Sequence, residues 1–498
     1  MSRETIIWLT IAVYAVFIIA IGFVSKKSSK SMNDFTVGGR NAGAWMSAFS
    51  YGTAYFSAVM FIGYAGGTGW KYGAWGVLPG IGNAIIGSLF AWLVLAKRTR
   101  KVTHEKSIAS MPQLFEKTFD SKSMKLFSAI VMFVFLIPYS ASVYKGLTSV
   151  CTVLLGFDES FEMFGINIEM ETLCMLIIAV AGAVIVVAGG YFAALRADFV
   201  QGAVMLVGVG VLVFAVVNNR GGFSTAMSNI VEETKSLSLT SYDHIGLWAT
   251  VLMTSFGTWG LPQMIHKYYG IRDDKEISRG TIISTVFAFV VAGGGYFIGS
   301  LSHLFFSEIP EGGTDYIIPN LLIKSQIADV LIGVVLVLLI AASVSTLSSI
   351  TITAASTFTM DILRDSVFKD EKKDSAFLTK LVCVGFVLVS FLIARLGEGT
   401  PILDMMSYSW GIIAGSFLAP YAISLYWNGI TKAGAWSSMI GGFVVAIPPL
   451  VAKLLGSTAT LGGFGAISGM GPHFACAAMA VSLILIFAVS KMTKKSNA

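Results

Sequence analysis

The stretch AWMSAFSYGTAYFSAVMFIGYAGGTG, residues 44–69, decides the fold. A membrane-crossing helix needs about 20 mostly apolar residues, and this run has the length and the apolar flanks. Ser47, Ser50, Gly52, Thr53 and Ser57, then Gly63, Gly66, Gly67 and Gly69, interrupt it with small and polar groups. A second interruption is FGTWGLP, residues 256–262, where Gly257, Thr258, Trp259, Gly260 and Pro262 fall inside another apolar span. Backbone released from helical bonding at membrane depth persists only where protein buries it or a cavity borders it. Paired breaks in corresponding places of two halves point to a transporter's binding site. The alternative is that glycines simply let helices approach closely, as Gly411 and Gly415 at GxxxG spacing do. For isolated glycines that reading is kept; for the paired breaks the site is adopted.

Working outward, the 498 residues are 55% hydrophobic and only 12% charged, with a mean hydropathy of +0.76. Soluble domains carry about 25% charge, so water-soluble enzymes, nucleic-acid binders and disordered scaffolds are excluded. Thirteen spans are expected, at roughly 4–24, 44–66, 73–96, 126–150, 173–190, 198–218, 247–268, 280–303, 329–357, 378–396, 403–426, 434–453 and 472–491. The chain reads as one all-α polytopic membrane domain, 1–498. The interrupted spans, second and seventh, lie five apart, so two five-helix halves, about 44–218 and 247–426, form natural inverted repeats.

Charge sets the expected orientation. Lysines and arginines gather in alternate loops: Lys26 to Arg40, Lys97 to Lys125, Arg196, Lys267 to Arg279, Arg364 to Lys380, Lys432 and Lys491 to Lys495, which hold 26 of the 34. By the positive-inside rule the N-terminus is outside and the C-terminus cytoplasmic, in a plasma (inner) membrane. Asp158, Glu159, Glu162, Glu169 and Glu171 mark an outer loop. The run from Ile6 to Val24 is too long for a signal-peptide core and reads as a span. Cys151, Cys174, Cys383 and Cys476 are far apart, without CxxC spacing, and read as small buried apolar residues.

The ninth span holds the densest hydroxyl cluster: Ser343, Ser345, Thr346, Ser348 and Ser349. Ser345, Ser348 and Ser349 share one helical face. Such a ridge facing an unwound helix supplies the oxygens that replace sodium's water, although serines and threonines also bond back to the i−4 carbonyl. Asp198 opens the sixth span. It reads either as a functional acid inside the membrane or as a charge favoured at a helix N-terminus. Lys145 near the outer end of the fourth span reads as an anion partner for a substrate carboxylate or as a snorkelling side chain. His266 and His303 have no partner at metal or triad spacing and read as structural.

Together these residues resemble the sodium:solute symporter family, which includes proline, pantothenate, sialic acid and sodium/glucose symporters. The resemblance rests on Asp34-Phe-Thr-Val-Gly-Gly-Arg40, Gly189-Gly-Tyr191, Ala197-Asp-Phe-Val-Gln-Gly202 and Ser345-Thr-Leu-Ser-Ser349. Pro262-Gln263 and Leu425-Tyr-Trp-Asn428 match more loosely. It implies the leucine-transporter-type fold, five plus five inverted-repeat helices with one extra N-terminal and two extra C-terminal helices. It implies a sodium site at Thr53 and Phe56 (carbonyls), Ala342 (carbonyl), Ser345 and Thr346, and a second at Asp198, Ser345, Ser348 and Ser349. Two departures stand out. Tyr55 replaces the aspartate of proline-type members, and Thr258 occupies the aromatic gate position of glucose-type members, so neither proline nor a sugar is implied.

The function expected is sodium-coupled import of a small organic solute by alternating access, with sodium as the coupling ion and sole metal, the lipid bilayer as surroundings, and no cofactor or nucleic acid. A sensor or channel on the same fold is the alternative. A membrane-embedded enzyme would need a reactive His, Cys or carboxylate pair, and none is visible. Tyr55, Met60, Trp259, Gln263 and Tyr408 are expected to border the substrate, an aromatic lining that favours an amino acid or organic acid over a sugar.

Overall fold

The computed structural model describes residues 36–155, 160–163, 166–368, 375–397, 400–456 and 462–494, with isolated positions of the first span between Leu9 and Ala20. Asp34, Lys26, Lys27, Lys30 and most of the first span lie outside the described residues, as does the side chain of Cys174. The structure is a bundle of membrane-length helices, as expected of a chain whose backbone must satisfy its own hydrogen bonds in lipid.

Nine helices among the described residues are long and apolar enough to cross a membrane, against thirteen expected spans. The second and seventh are missed by that measure because each is broken: Ala44–Tyr55 has only 12 residues, and Ser241–Phe256 is separated from Pro262–Tyr269. The continuation from Val59 runs through π-helical turns and short helices into the third span without a full stop, so 59–105 reads as one piece. The fifth and sixth spans likewise form one element, Met170–Asn218, kinked at Gly190. Its φ of 61° and ψ of −154° are open to glycine and strained for other residues.

One feature was not expected. Ser160–Met163 and Ile166–Glu169 pair as an antiparallel hairpin, Ser160 opposite Glu169, in the acidic loop read as outer. The polar segment after the sixth span, which reads as a loop or short surface helix, forms the amphipathic helix Phe223–Ser236. The ninth helix, Asp329–Thr357, sits at the centre, buried along almost its whole length against the 170–218 helix, the fourth span and Ala44–Tyr55. Lys432–Ala446 and Gly471–Thr493 pack against each other and flank the eleventh span, Ile402–Ser424.

At the basic end, contacts close the bundle mainly through backbone. Arg40 donates to the carbonyls of Thr103 (2.9 Å) and Ile108 (3.0 Å). Arg100 donates to those of Ile271 and Arg272, and pairs with Asp274. Ala42 and Ile271 form an isolated parallel bridge, and the Ala44 amide donates to Glu276 at 2.7 Å. Asp273 caps the eighth helix; the Glu276 amide bonded to its carboxylate holds it below the usual carboxylate range.

The eighth helix, Asp274–Ser300, packs on the second and third spans through bare backbone. A methyl group at Gly299 would overlap the Ala65 carbonyl, and one at Gly69 would overlap the Gly299 carbonyl, whereas a methyl at Gly293 meets nothing within 4 Å. Gly299→Ala should therefore cost about 1–3 kcal/mol through overpacking, lowering the melting temperature of the purified protein. Gly293→Ala should leave it unchanged or raise it slightly, since alanine is favoured by about 1 kcal/mol in helices.

Candidate functional site

At the first break the helical ladder ends with the Phe56 amide on the Gly52 carbonyl (2.8 Å) and resumes with the Met60 amide on that of Ser57 (3.1 Å). Phe56 is extended (φ −102°, ψ 93°), and Ser57 Oγ accepts from the Val59 amide at 3.2 Å. The second break follows from Pro262, which pushes the residue before it out of the helical region; Leu261 has ψ 122°. Gly260 is needed there because the Ala414 backbone passes at less than side-chain distance. The breaks are joined directly: Tyr55 Oη donates to the Thr254 carbonyl at 2.6 Å.

The ninth span meets the first break through Thr346, whose Oγ1 lies 3.0 Å from the carbonyls of both Thr53 and Ala342. Thr53, Phe56, Ala342, Ser345 and Thr346 are all buried. Thr346 thus touches two of the other four expected sodium ligands. Ser345 Oγ donates to Asp198 Oδ1 at 2.5 Å, which leaves its lone pairs available for an ion.

Asp198 is neither at a helix end nor in water. It is fully buried, and its other oxygen accepts from Ser50 and lies 3.4 Å from Lys267 Nζ. Lys267 in turn donates to Ser349 Oγ at 2.8 Å, and Ser348 Oγ has no hydrogen-bond partner among the described residues. Lys267, read from the sequence as a basic loop residue, is only 3% exposed. That corrects the orientation count by one and adds a cation to the expected second sodium set. Ser50 and Lys267 were both missed. No signal in the sequence singles out Lys267: it lies within the short helix Pro262–Tyr269 that follows the second break, and a buried aspartate requires a counter-charge without specifying which lysine supplies it.

The expected substrate residues divide. Tyr55 is buried, stacked on Phe56 (ring centroids 4.2 Å apart) and 6.2 Å from Trp410. Its hydroxyl lies against Gly87, next to Ile86, whose carbonyl accepts from the Trp259 indole at 3.0 Å. Gln263 is buried, and neither its amide oxygen nor its nitrogen has a partner among the described residues. Met60 faces Gly295 of the eighth helix. Tyr408 points elsewhere: its hydroxyl donates to the Ser468 carbonyl. Two residues along a helix turn by about 200°, so Trp410 takes the face towards Tyr55, and 5.6 Å separates it from Tyr139. Lys145 donates to the carbonyls of Gly397 (3.0 Å) and Thr400 (2.6 Å), tying down the end of the tenth span. His303 stacks on Trp70, and His266 packs edge-on against Tyr191.

Broken helices whose released carbonyls meet a hydroxyl ridge define a sodium-coupled secondary transporter. Residues 35–442 match the sodium:solute symporter family, and the chain belongs to that family. It is 24% identical over 510 residues to a sodium/proline symporter of Staphylococcus aureus (strain bovine RF122 / ET3-1), covering 99% of this chain and 93% of that one. The fold is similar to that of a Na+-coupled sialic acid symporter solved substrate-bound and outward-open, with a TM-score of 0.75 at 17% identity over 98% of this chain and 97% of the other. MhsT in complex with L-phenylalanine is also similar (TM-score 0.53, 16% identity, 90% and 98% covered). The fold is of the leucine-transporter type, and the protein is an integral membrane sodium:solute symporter, not an enzyme.

Gln263 yields a prediction in which stability and binding move oppositely. An unpaired buried polar group costs about 1–3 kcal/mol, so Gln263→Leu should leave the solute-free protein at least as thermally stable as wild type. The same change should weaken transport affinity at least about tenfold, by about 1.4 kcal/mol, as measured by the solute concentration for half-maximal uptake.

Proposed function

We propose that sodium binds at Thr53, Phe56, Ala342, Ser345 and Thr346, and drives import of a small amino acid or organic acid held between the two breaks. The observation that carries this reading is the Thr346 hydroxyl at 3.0 Å from the Thr53 and Ala342 carbonyls. A hard cation needs several such oxygens in place of its water, and the break in the second span releases them. The halves 44–218 and 247–426 then act as inverted repeats that rock about this centre.

The solute is bordered by Tyr55, Trp259, Trp410 and Gln263, aromatic surface with one amide. With Lys145 committed to backbone carbonyls, a substrate carboxylate would be met by the half-helices that begin at the breaks, whose N-termini carry partial positive charge. The sodium/proline relatives and the phenylalanine complex of MhsT support an amino acid; the sialic acid symporter supports an organic acid. Screening uptake of both classes into proteoliposomes, in sodium against potassium, distinguishes them. Sodium-independent uptake, or uptake that continues downhill without saturation, would favour a channel. One charge entering down 100 mV yields about 2.3 kcal/mol, enough for roughly 50-fold accumulation.

Thr346→Ala and Ser345→Ala should each raise the sodium concentration for half-maximal uptake at least about tenfold, about 1.4 kcal/mol. Thr346→Ala is the cleaner variant, since Ser345 also serves Asp198. Unchanged sodium dependence in both would refute this site.

We place the N-terminus outside and the C-terminus in the cytoplasm, because Arg40, Lys97 to Lys125, Arg272 to Arg279 and Lys432 collect at one end of the bundle. A cysteine introduced at exposed Lys117 should react with an impermeant maleimide only in inverted vesicles, and one at Glu311 only in intact cells. The reverse pattern would invert the topology.

A further inference from the structure

Four helices converge on the Asp198 carboxylate. Ser345 of the ninth span donates to Oδ1, and Ser50 of the second donates to Oδ2. The Lys267 ammonium of the seventh lies 3.4 Å from Oδ2 and donates to Ser349 at 2.8 Å. The face of the Tyr191 ring lies 5.6 Å from the same nitrogen, and both charged side chains are buried. A carboxylate oxygen, a serine hydroxyl and an aromatic face surround the ammonium, and these are groups that a dehydrated monovalent cation seeks.

Asp198 and Ser349 are also two of the residues that the sequence suggests for a second sodium ion. An ion held by both would sit against Lys267 Nζ, and like charges at contact distance away from water repel far more strongly than thermal energy. One position cannot hold both cations.

We propose that the Lys267 ammonium is the resident cation of the Asp198–Ser349 position, replacing a second sodium ion, so that this symporter binds and carries one sodium per solute. This rests on the first sodium site proposed above. The chain carries the charge itself, so the position neutralises Asp198 without exchanging an ion across the membrane. Lys267 is then a positioning residue as well. By balancing Asp198 it keeps that carboxylate as the acceptor for Ser345, and so turns the serine's lone pairs towards the first site.

Sodium alone is the probe: radioactive sodium bound per purified full-length chain at saturation, and the Hill coefficient of the sodium-dependent rise in melting temperature at constant ionic strength with choline. Wild type should bind one ion with a Hill coefficient of one. Lys267→Met, similar in length and uncharged, leaves Asp198 without its cation; it should bind two ions, with the Hill coefficient rising towards two. Lys267→Met combined with Asp198→Asn should return to one ion. Two ions on wild type, or one ion on Lys267→Met, would overturn the proposal. Should Lys267→Met fail to reach the membrane, the other two proteins still decide: one ion on each upholds the proposal, and two on either overturns it. A wild type that binds one ion with affinity unaffected by Thr346→Ala and Ser345→Ala would refute the first site while leaving the role of Lys267 standing; no bound ion would overturn both.

Discussion

Asp198 is buried among helices from both halves of the chain, and an ionised carboxylate in such surroundings persists only with a counter-charge and with its lone pairs satisfied. Lys267, Ser345 and Ser50 meet that demand from the seventh, ninth and second spans. Such a pair adds little net stability, because the cost of desolvating both charges offsets their attraction. Its effect is on register. Removing one partner alone strands a buried charge at a cost of about 3–5 kcal/mol, so the four helices hold one relative placement. The two breaks, one in the second span and one in the seventh, are set against each other by that placement.

The cluster also links two tasks through one hydroxyl. Ser345 gives its hydrogen to Asp198 and has only its lone pairs left to offer an ion, while Thr346, the next residue, reaches the released carbonyl of Thr53. Two residues on, at the end of the same helix, Tyr55 spans to Thr254. With ion and solute placed as proposed above, both would bear on the same few residues of unwound backbone.

Much of this was legible in the sequence because the physics is local. Small and polar residues inside apolar runs mark helix breaks wherever they fold, and Pro262 places the second break to within a residue. The hydroxyl ridge of the ninth span could be read from spacing, whereas for Asp198 the sequence left a buried acid and a helix-end charge both open, and its burial decides between them. Lys267 could not be read, because a lysine six residues beyond Leu261 looks the same whether it enters a loop or turns inward; only the position of Asp198 in space decides. Tyr408 was read as a pocket residue, but the phase of the eleventh span turns it towards Ser468 and gives the place beside Tyr55 to Trp410. Lys145 was read for its charge, whereas the carbonyls at 397 and 400 that capture it belong to a helix end some 250 residues away. The hairpin at 160–169 does alternate, as Ser-Phe-Glu-Met and Ile-Asn-Ile-Glu, but with four residues a strand the pattern is too short to stand out from an acidic loop.

The closure at the basic end has a property that follows from what its arginines hold. Both contacts of Arg40 and two of those of Arg100 end on main-chain carbonyls, beside the ion pairs that Arg100 and Lys97 make with Asp274. A carbonyl has no net charge for dissolved ions to screen, and each such bond, its donor a charged guanidinium, exchanges for one to water at a net loss of about 1.5–3 kcal/mol. Parting that end is therefore a sequence of separate exchanges. Along 103–108 and 271–272 the contacts accordingly tolerate side-chain drift, since what Arg40 and Arg100 read there is the course of the chain itself, while the ion pairs with Asp274 are the part that dissolved salt can screen.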